Sequence, residues 1–231
     1  MAMGPRMIRW IAALSLAANA ALATIWGWRQ IARHRDRAPS REAERAAAFH
    51  ALAAGPRREV VVVGDSLTER AEWWELLDRP VANRGIAGDT VARVRARLDD
   101  VVALDPDMVF LLVGVNDLLA GVTPEALATG HAALVAELRR RLPRARIVVE
   151  SLLPIRGTRV ARDAALTSAT VRRANQLLRR AVAGAGADWL DVHAGLADAT
   201  GELDARYTID GLHLSPAGYR VWADLLRAHL P

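Results

Sequence analysis

The chain has 231 residues, 52% of them apolar, which suffices for one well-buried domain with an appendage and is too little for two independent cores. It contains no cysteine, which excludes a disulfide framework, a thiolate zinc site and a cysteine nucleophile. All 31 basic residues are arginine and the net charge is +5, yet the stretch through Arg58 holds ten arginines against three acids and the remainder 21 against 23, so the basic excess belongs to the N-terminal appendage and is no argument for nucleic acid.

Residues 10–28 (WIAALSLAANAALATIWGW) carry no charge and lie between Arg6 and Arg9 on one side and Arg29, Arg33, Arg35 and Arg37 on the other. As a helix this run would reach roughly 28 Å, the thickness of a bilayer's hydrocarbon core. Trp10, Trp26 and Trp28 mark its ends, where indole rings prefer the headgroup level. The run is read as a single N-terminal transmembrane anchor in a bacterial inner membrane, with the following domain in the periplasm or cell envelope. Ala18-Asn19-Ala20 also fits the small-x-small cleavage site of a signal peptide, and the arginine cluster after the run fits a cytoplasmic domain by the positive-inside rule. Residues 29–58 read as a basic stalk in which Ser40 caps a short helix over 41–54, ending at Gly55. The domain proper is expected over 59–231.

Within it, β-rich apolar stretches alternate with helical ones. Val60 to Val63 precedes a helix over Thr68 to Leu77, Val81 to Asn83 precedes Thr90 to Leu98, and Met108 to Val113 precedes Pro124 to Leu142. Ile147 to Ser151, Thr167 to Ala183, Trp189 to Val192 and a last helix over Pro216 to Leu230 continue the series. Alternation of this kind predicts an α/β fold, a parallel sheet covered on both faces in three layers.

Four segments carry chemistry: Gly64-Asp65-Ser66-Leu67, Asn83 to Thr90 (NRGIAGDT), Gly114-Val115-Asn116-Asp117 and Asp210-Gly211-Leu212-His213. A serine hydroxyl needs a base to take its proton, and the base needs a third group to hold it in one tautomer. Ser66, His213 and Asp210 fill those roles. An oxyanion needs preorganised donors, for which the N–H groups of Ser66 and Gly88 and the side-chain amide of Asn116 are the natural set. Each segment alone has a structural explanation, as a helix start, a strand-ending turn or a buried histidine. The ordered set, with its members at strand ends and in loops, does not.

These residues give the chain its resemblance to the SGNH/GDSL family of serine esterases and lipases, running from about Glu59 to Leu230. The four segments match the family's four blocks. The resemblance implies a flavodoxin-like sheet, Ser66 as nucleophile, Gly88 and Asn116 in the oxyanion hole, and Asp210 and His213 completing the triad. It further implies no metal or organic cofactor, and cleavage of carboxylic esters or thioesters through an acyl-enzyme; a tether beside a bilayer adds lysophospholipids to the substrates expected. Position 68 is Thr, so the Gly-x-Ser-x-Gly elbow of α/β-hydrolases is absent. An acetylesterase or O-acetyltransferase of an envelope polysaccharide is the alternative reading, and a non-catalytic binding module a third. Leu67, Trp73, Leu118, Ile209 and Leu212 are candidates for an apolar substrate wall, as are Trp74, Leu119 and Leu152 to Ile155. Asp65, Asp89 and Asp117 are read as loop-bracing residues, and His193 as a structural or rim residue. Arg156, Arg159 and Arg162 make the segment over 154–165 basic, a solvated stretch or a contact for an anionic substrate.

Overall fold

The computed structural model describes residues 40–52, 57–157 and 166–230. The expected membrane span at 10–28, the alternative cleavage site, and Arg159 and Arg162 lie outside them. Among the described residues no helix is long and apolar enough to cross a membrane.

Five parallel strands form one sheet in the order β2-β1-β3-β4-β5: β1 (Val60–Gly64), β2 (Val81–Gly85), β3 (Met108–Leu112), β4 (Arg146–Glu150) and β5 (Asp188–Leu190). Strand β1 pairs Gly64 with Gly85 of β2 on one side and with Leu112 of β3 on the other. Both β1 and β3 are buried along their whole length, which is why they read as continuous apolar runs. The chain leaves β1 for β2 and then returns to the far side of β1 for β3, so a topological switch point lies at their carboxyl ends, where open α/β sheets bind ligands.

The helices are α1 (Arg41–Leu52), α2 (Ser66–Glu69), α3 (Trp73–Leu77), α4 (Val91–Ala96), α5 (Asp99–Val102), α6 (Val115–Leu119), α7 (Pro124–Arg141), α8 (Ser168–Gly184), α9 (Val192–Leu196) and α10 (Pro216–Arg227). Helices α4, α7 and α8 pack together in one layer and α3, α9 and α10 in another. Thr123, Thr167 and Ser215 cap α7, α8 and α10 through their hydroxyls, with Pro124 and Pro216 opening two of these helices. Under α10 the Trp222 indole meets the edge of Trp73 at 4.8 Å between centroids, stacks with Tyr219, and donates to the buried Glu150 carboxyl.

Three expectations change. The helix expected over Thr68 to Leu77 is split in two, because the Asn83 side-chain amide takes the carbonyls of Thr68, Glu69 and Ala71 at 3.0, 3.2 and 3.1 Å. Strand β5 stops at Leu190, since the Asp191 carboxylate accepts the Ala194 N–H and starts α9 where strand was expected. The helix placed in a stalk instead packs on the domain: Phe49 of α1 is buried, and the compact unit extends from Glu42 to Pro231.

Candidate active site

Ser66 is the first residue of α2, immediately beyond β1. Asp65 precedes it as the N-cap, its carboxylate accepting the Leu67 N–H at 2.9 Å. At that first position the Ser66 N–H has no acceptor inside the helix. The carbonyls that follow are taken by side chains: Tyr219 donates its hydroxyl to Leu67 O at 2.9 Å and Trp73 its indole N–H to Thr68 O at 3.0 Å. Beneath, a Cβ on Gly64 would lie 2.2 Å from the Thr68 hydroxyl and 2.3 Å from Leu112 O, so only glycine lets the turn pack on the sheet.

His213 stands in a loop between the single 3-10 turn Ala205–Tyr207 and α10, closed by an antiparallel bridge of Thr208 to Leu214. Its Nε2 lies 3.1 Å from Ser66 Oγ and its Nδ1 2.7 Å from Asp210 Oδ2. Asp210 also accepts the backbone N–H of Leu212 and of His213, and the Thr208 hydroxyl donates to His213 O while receiving the Gly211 N–H, both at 2.8 Å. Burial alone would raise the Asp210 carboxyl, but the hydrogen bonds from His213 and Leu212 outweigh it and hold the group below the ordinary carboxylate range. The hydroxyl, imidazole and carboxylate form one continuous line, along which a proton can leave oxygen for nitrogen.

Gly88 occupies the third position of a turn closed by Asp89 N–H to Ile86 O at 3.1 Å, with φ of 77°, the geometry of a type II turn. A Cβ there would meet only Arg93 Nη1, at 3.8 Å, so conformation and not crowding from the protein calls for glycine. Asn116, in α6 beyond β3, donates one amide N–H to Asp89 O at 2.9 Å, tying its side chain to the Gly88 turn and leaving its second N–H for another acceptor.

The bracing residues act as expected of them. Asp117 accepts the Val91 N–H at 3.0 Å, and Asp89 pairs with Arg97 at 2.7 Å. Burial pushes the carboxyls of both upward, and that of Asp65 to about 7. Among the wall candidates, Leu67, Trp73 and Leu118 are packed inside the core, as are Leu152, Leu153 and Ile155, and this takes them off an open substrate wall. Ile209 and Trp74 are exposed and Leu212 is half-buried. His193 sits in α9 with its backbone N–H on Ser151 Oγ, apart from the serine line. Arg156 is paired with Asp198 and Glu202, and its backbone N–H holds Gly211 O at 2.8 Å, so it braces the histidine loop. Arg97 and Tyr219 carry no motif signal in sequence; their contribution depends on contacts made across the fold.

The match to known proteins follows these positions. A model of the GDSL-like lipase/acylhydrolase family matches residues 62–221, spanning all four segments. The chain belongs to this family. The GDSL-like acylhydrolase is 36% identical over 169 residues to the platelet-activating factor acetylhydrolase IB subunit alpha1 of Bos taurus, covering 70% of each chain. In fold it is similar to a GDSL-like lipase of Bacteroides thetaiotaomicron, at a TM-score of 0.67 with 20% identity over 82% of this chain and 96% of that one. It is likewise similar in fold to an acetyl xylan esterase, at 0.62 with 20% identity over 74% and 99%. Membership makes the acylhydrolase an SGNH/GDSL-type serine hydrolase acting on ester bonds.

Proposed function

We propose that this esterase removes short acyl groups, acetyl above all, from an alcohol through an acyl-enzyme on Ser66. The observation that carries the reading is the unbroken line from Ser66 Oγ through His213 to Asp210. His213 Nε2 takes the hydroxyl proton as Oγ attacks the ester carbonyl, while Asp210 holds the Nδ1–H and steadies the imidazolium. The N–H groups of Ser66 and Gly88 and the free amide N–H of Asn116 receive the oxyanion. As the tetrahedral intermediate collapses, His213 returns its proton to the leaving alkoxide. Water, deprotonated by the same imidazole, then releases the acid. Two observations favour a short acyl group: Leu67, Trp73 and Leu118, three of the side chains expected to form an apolar wall, are committed to the core, and the acetylhydrolase relative is named for acetyl removal. Tethering through residues 10–28 beside a membrane, with the domain in the periplasm or envelope, would supply lipid-like alcohols. The fold shared with an acetyl xylan esterase makes O-acetylated sugar the second alcohol to test.

The test is hydrolysis of p-nitrophenyl esters from acetate to palmitate by the full chain, beside an acetylated glycerophospholipid and an acetylated xylooligosaccharide. Turnover is expected to be greatest at acetate and to fall by roughly four or more orders of magnitude in Ser66→Ala. An optimum at long chains would overturn the acetyl reading, and undiminished turnover in Ser66→Ala the mechanism.

A further inference from the structure

The Gly88 turn is held from outside the region that carries the family motifs. Helix α1 lies upstream of the matched residues 62–221, yet its Arg45 reaches Gly85 at the base of that turn and its Phe49 meets the guanidinium groups of Arg84 and Arg97. We propose that α1 is a strap that positions the oxyanion donors, with Phe49 and Arg45 as its positioning residues; the inference rests on the reading of Gly88 and Asn116 given above.

Arg45 donates through Nε to Gly85 O at 2.5 Å and lies 3.7 Å from the Glu69 carboxylate. That carboxylate accepts the Ala87 N–H at 2.6 Å, one residue before Gly88. The first route therefore runs from α1 through Arg45 and Glu69 to the turn itself. Phe49, 5% exposed, presents its ring to the guanidinium groups of Arg84, Arg45 and Arg97 at 4.6, 4.9 and 5.8 Å. Guanidinium groups taken out of water need either acceptors or a π face. Arg97 spends its donors on Asp89 at 2.7 Å, Arg84 O at 2.8 Å and Gly64 O at 3.3 Å, and its Nη1 is buried without a hydrogen-bond partner, on a guanidinium that the Phe49 ring covers. Gly64 stands two residues before Ser66, and Asp89 O receives the Asn116 amide. The second route thus runs from Phe49 through Arg97 to the ends of β1 and β2 and to the Asp89 carbonyl on Asn116. Without the ring, Arg97 loses the face that compensates its burial and is free to turn toward solvent, releasing the carbonyls of Gly64 and Arg84 and the carboxylate of Asp89 at once.

The experiment uses the full chain, with kcat and KM on p-nitrophenyl acetate, the rate of Ser66 labelling by a fluorophosphonate, and thermal unfolding measured together. The variants are Phe49→Ala, Phe49→Tyr, Arg45→Ala and, as a control on the same helix, Leu52→Ala, whose side chain is 61% exposed. Losing one oxyanion donor outright costs about 10²–10³ in kcat, so a displaced donor is expected to cost roughly 10- to 100-fold. Phe49→Ala and Arg45→Ala should lose that much in kcat and in labelling rate with KM within about threefold of wild type. Phe49→Tyr, which keeps the ring face, should recover wild-type kcat to within about threefold, and Leu52→Ala should match wild type. A folded Phe49→Ala with unchanged kcat and only a lower melting temperature would make α1 a stabilising element and overturn the strap. If Phe49→Ala does not fold, Arg45→Ala decides, because its side chain is partly exposed and its removal leaves the core intact. Wild-type protein that neither turns over esters nor takes the label would overturn the esterase reading itself, and the strap with it.

Discussion

The Asp210 carboxylate closes the turn that carries His213 and also faces the imidazole. Oδ1 accepts the N–H of Leu212 and of His213 at 2.9 and 2.7 Å, and Oδ2 faces Nδ1 at 2.7 Å. The two tasks are separable by substitution. Asp210→Asn keeps an oxygen for the backbone donors, so the loop should hold its shape and the melting temperature should change little. In the proposed mechanism, however, an amide opposite Nδ1 no longer favours the tautomer that leaves Nε2 open to the serine proton, and kcat should fall by roughly 10³–10⁴. Asp210→Ala removes both tasks and should lower the melting temperature as well as kcat. Steady-state kinetics beside thermal unfolding would check the pair; equal unfolding losses in both variants would mean that the carboxylate's charge, and not its turn geometry, holds the loop. The charge has its own pH signature. A carboxyl held below its ordinary range stabilises the native state above the unfolded value near 4, and that contribution is lost as pH falls through the lowered folded value.

At the scale of elements, the fit of α2 onto β2 leaves no room for a side chain at Gly85. A Cβ on Gly85 would lie 2.3 Å from the Glu69 N and 2.8 Å from its Cα, and neither backbone atom can step aside without moving the nucleophile's turn. Gly85→Ala should therefore cost about 1–3 kcal/mol and lower the melting temperature by roughly 3–10 °C, read by thermal unfolding, with kcat reduced alongside. Much of this layer was legible in the sequence. Strands β1 and β3 announce themselves by apolar runs, α7 and α10 by a hydroxyl cap followed by proline, and the first three motif segments fall at strand ends and the fourth in a loop. What stayed hidden depends on distant partners. The break between α2 and α3 is made by Asn83, fourteen and fifteen positions from Glu69 and Thr68 in the chain. The end of β5 follows from an Asp191 cap that no periodicity reveals. Helix α1 reads as a stalk because its stretch is polar, charged and rich in alanine, and its one deeply buried side chain, Phe49, is covered by the guanidinium groups of Arg84 and Arg97, which arrive from elsewhere in the chain.

For the molecule as a whole, the balance of buried titratable groups fixes how stability runs with pH. Burial raises the carboxyl of Asp65 to about 7 and, against the opposing bond from Trp222, that of Glu150 to about 8. Each binds a proton in the native state that the unfolded chain has already released, so stability falls as pH rises from the ordinary carboxylate value to the raised one. His131 works in the opposite sense. Its ring is fully buried with Nε2 2.9 Å from Val113 O, and burial lowers it to about 4, so its contribution is complete above its unfolded value near 6.5 and is lost only on acidification. Asp198, held to about 2 by the Thr200 hydroxyl and backbone and by Arg156, likewise contributes fully above its unfolded value near 4 and loses that contribution only on acidification. Between pH 6.5 and 9 the carboxyls of Asp65 and Glu150, raised furthest, therefore set the sign, and the stability lost across that window should be about 2–3 kcal/mol, most of it from Glu150. Glu150→Gln keeps an acceptor for the Trp222 indole and removes the proton, so it should flatten most of the decline while leaving the melting temperature at pH 6 close to wild type. Unfolding curves of both proteins from pH 6 to 9 test this directly: a wild-type melting temperature that holds or climbs over that range would mean that Glu150 is ionised in the native protein, and that the Trp222 bond outweighs the cost of burying its charge.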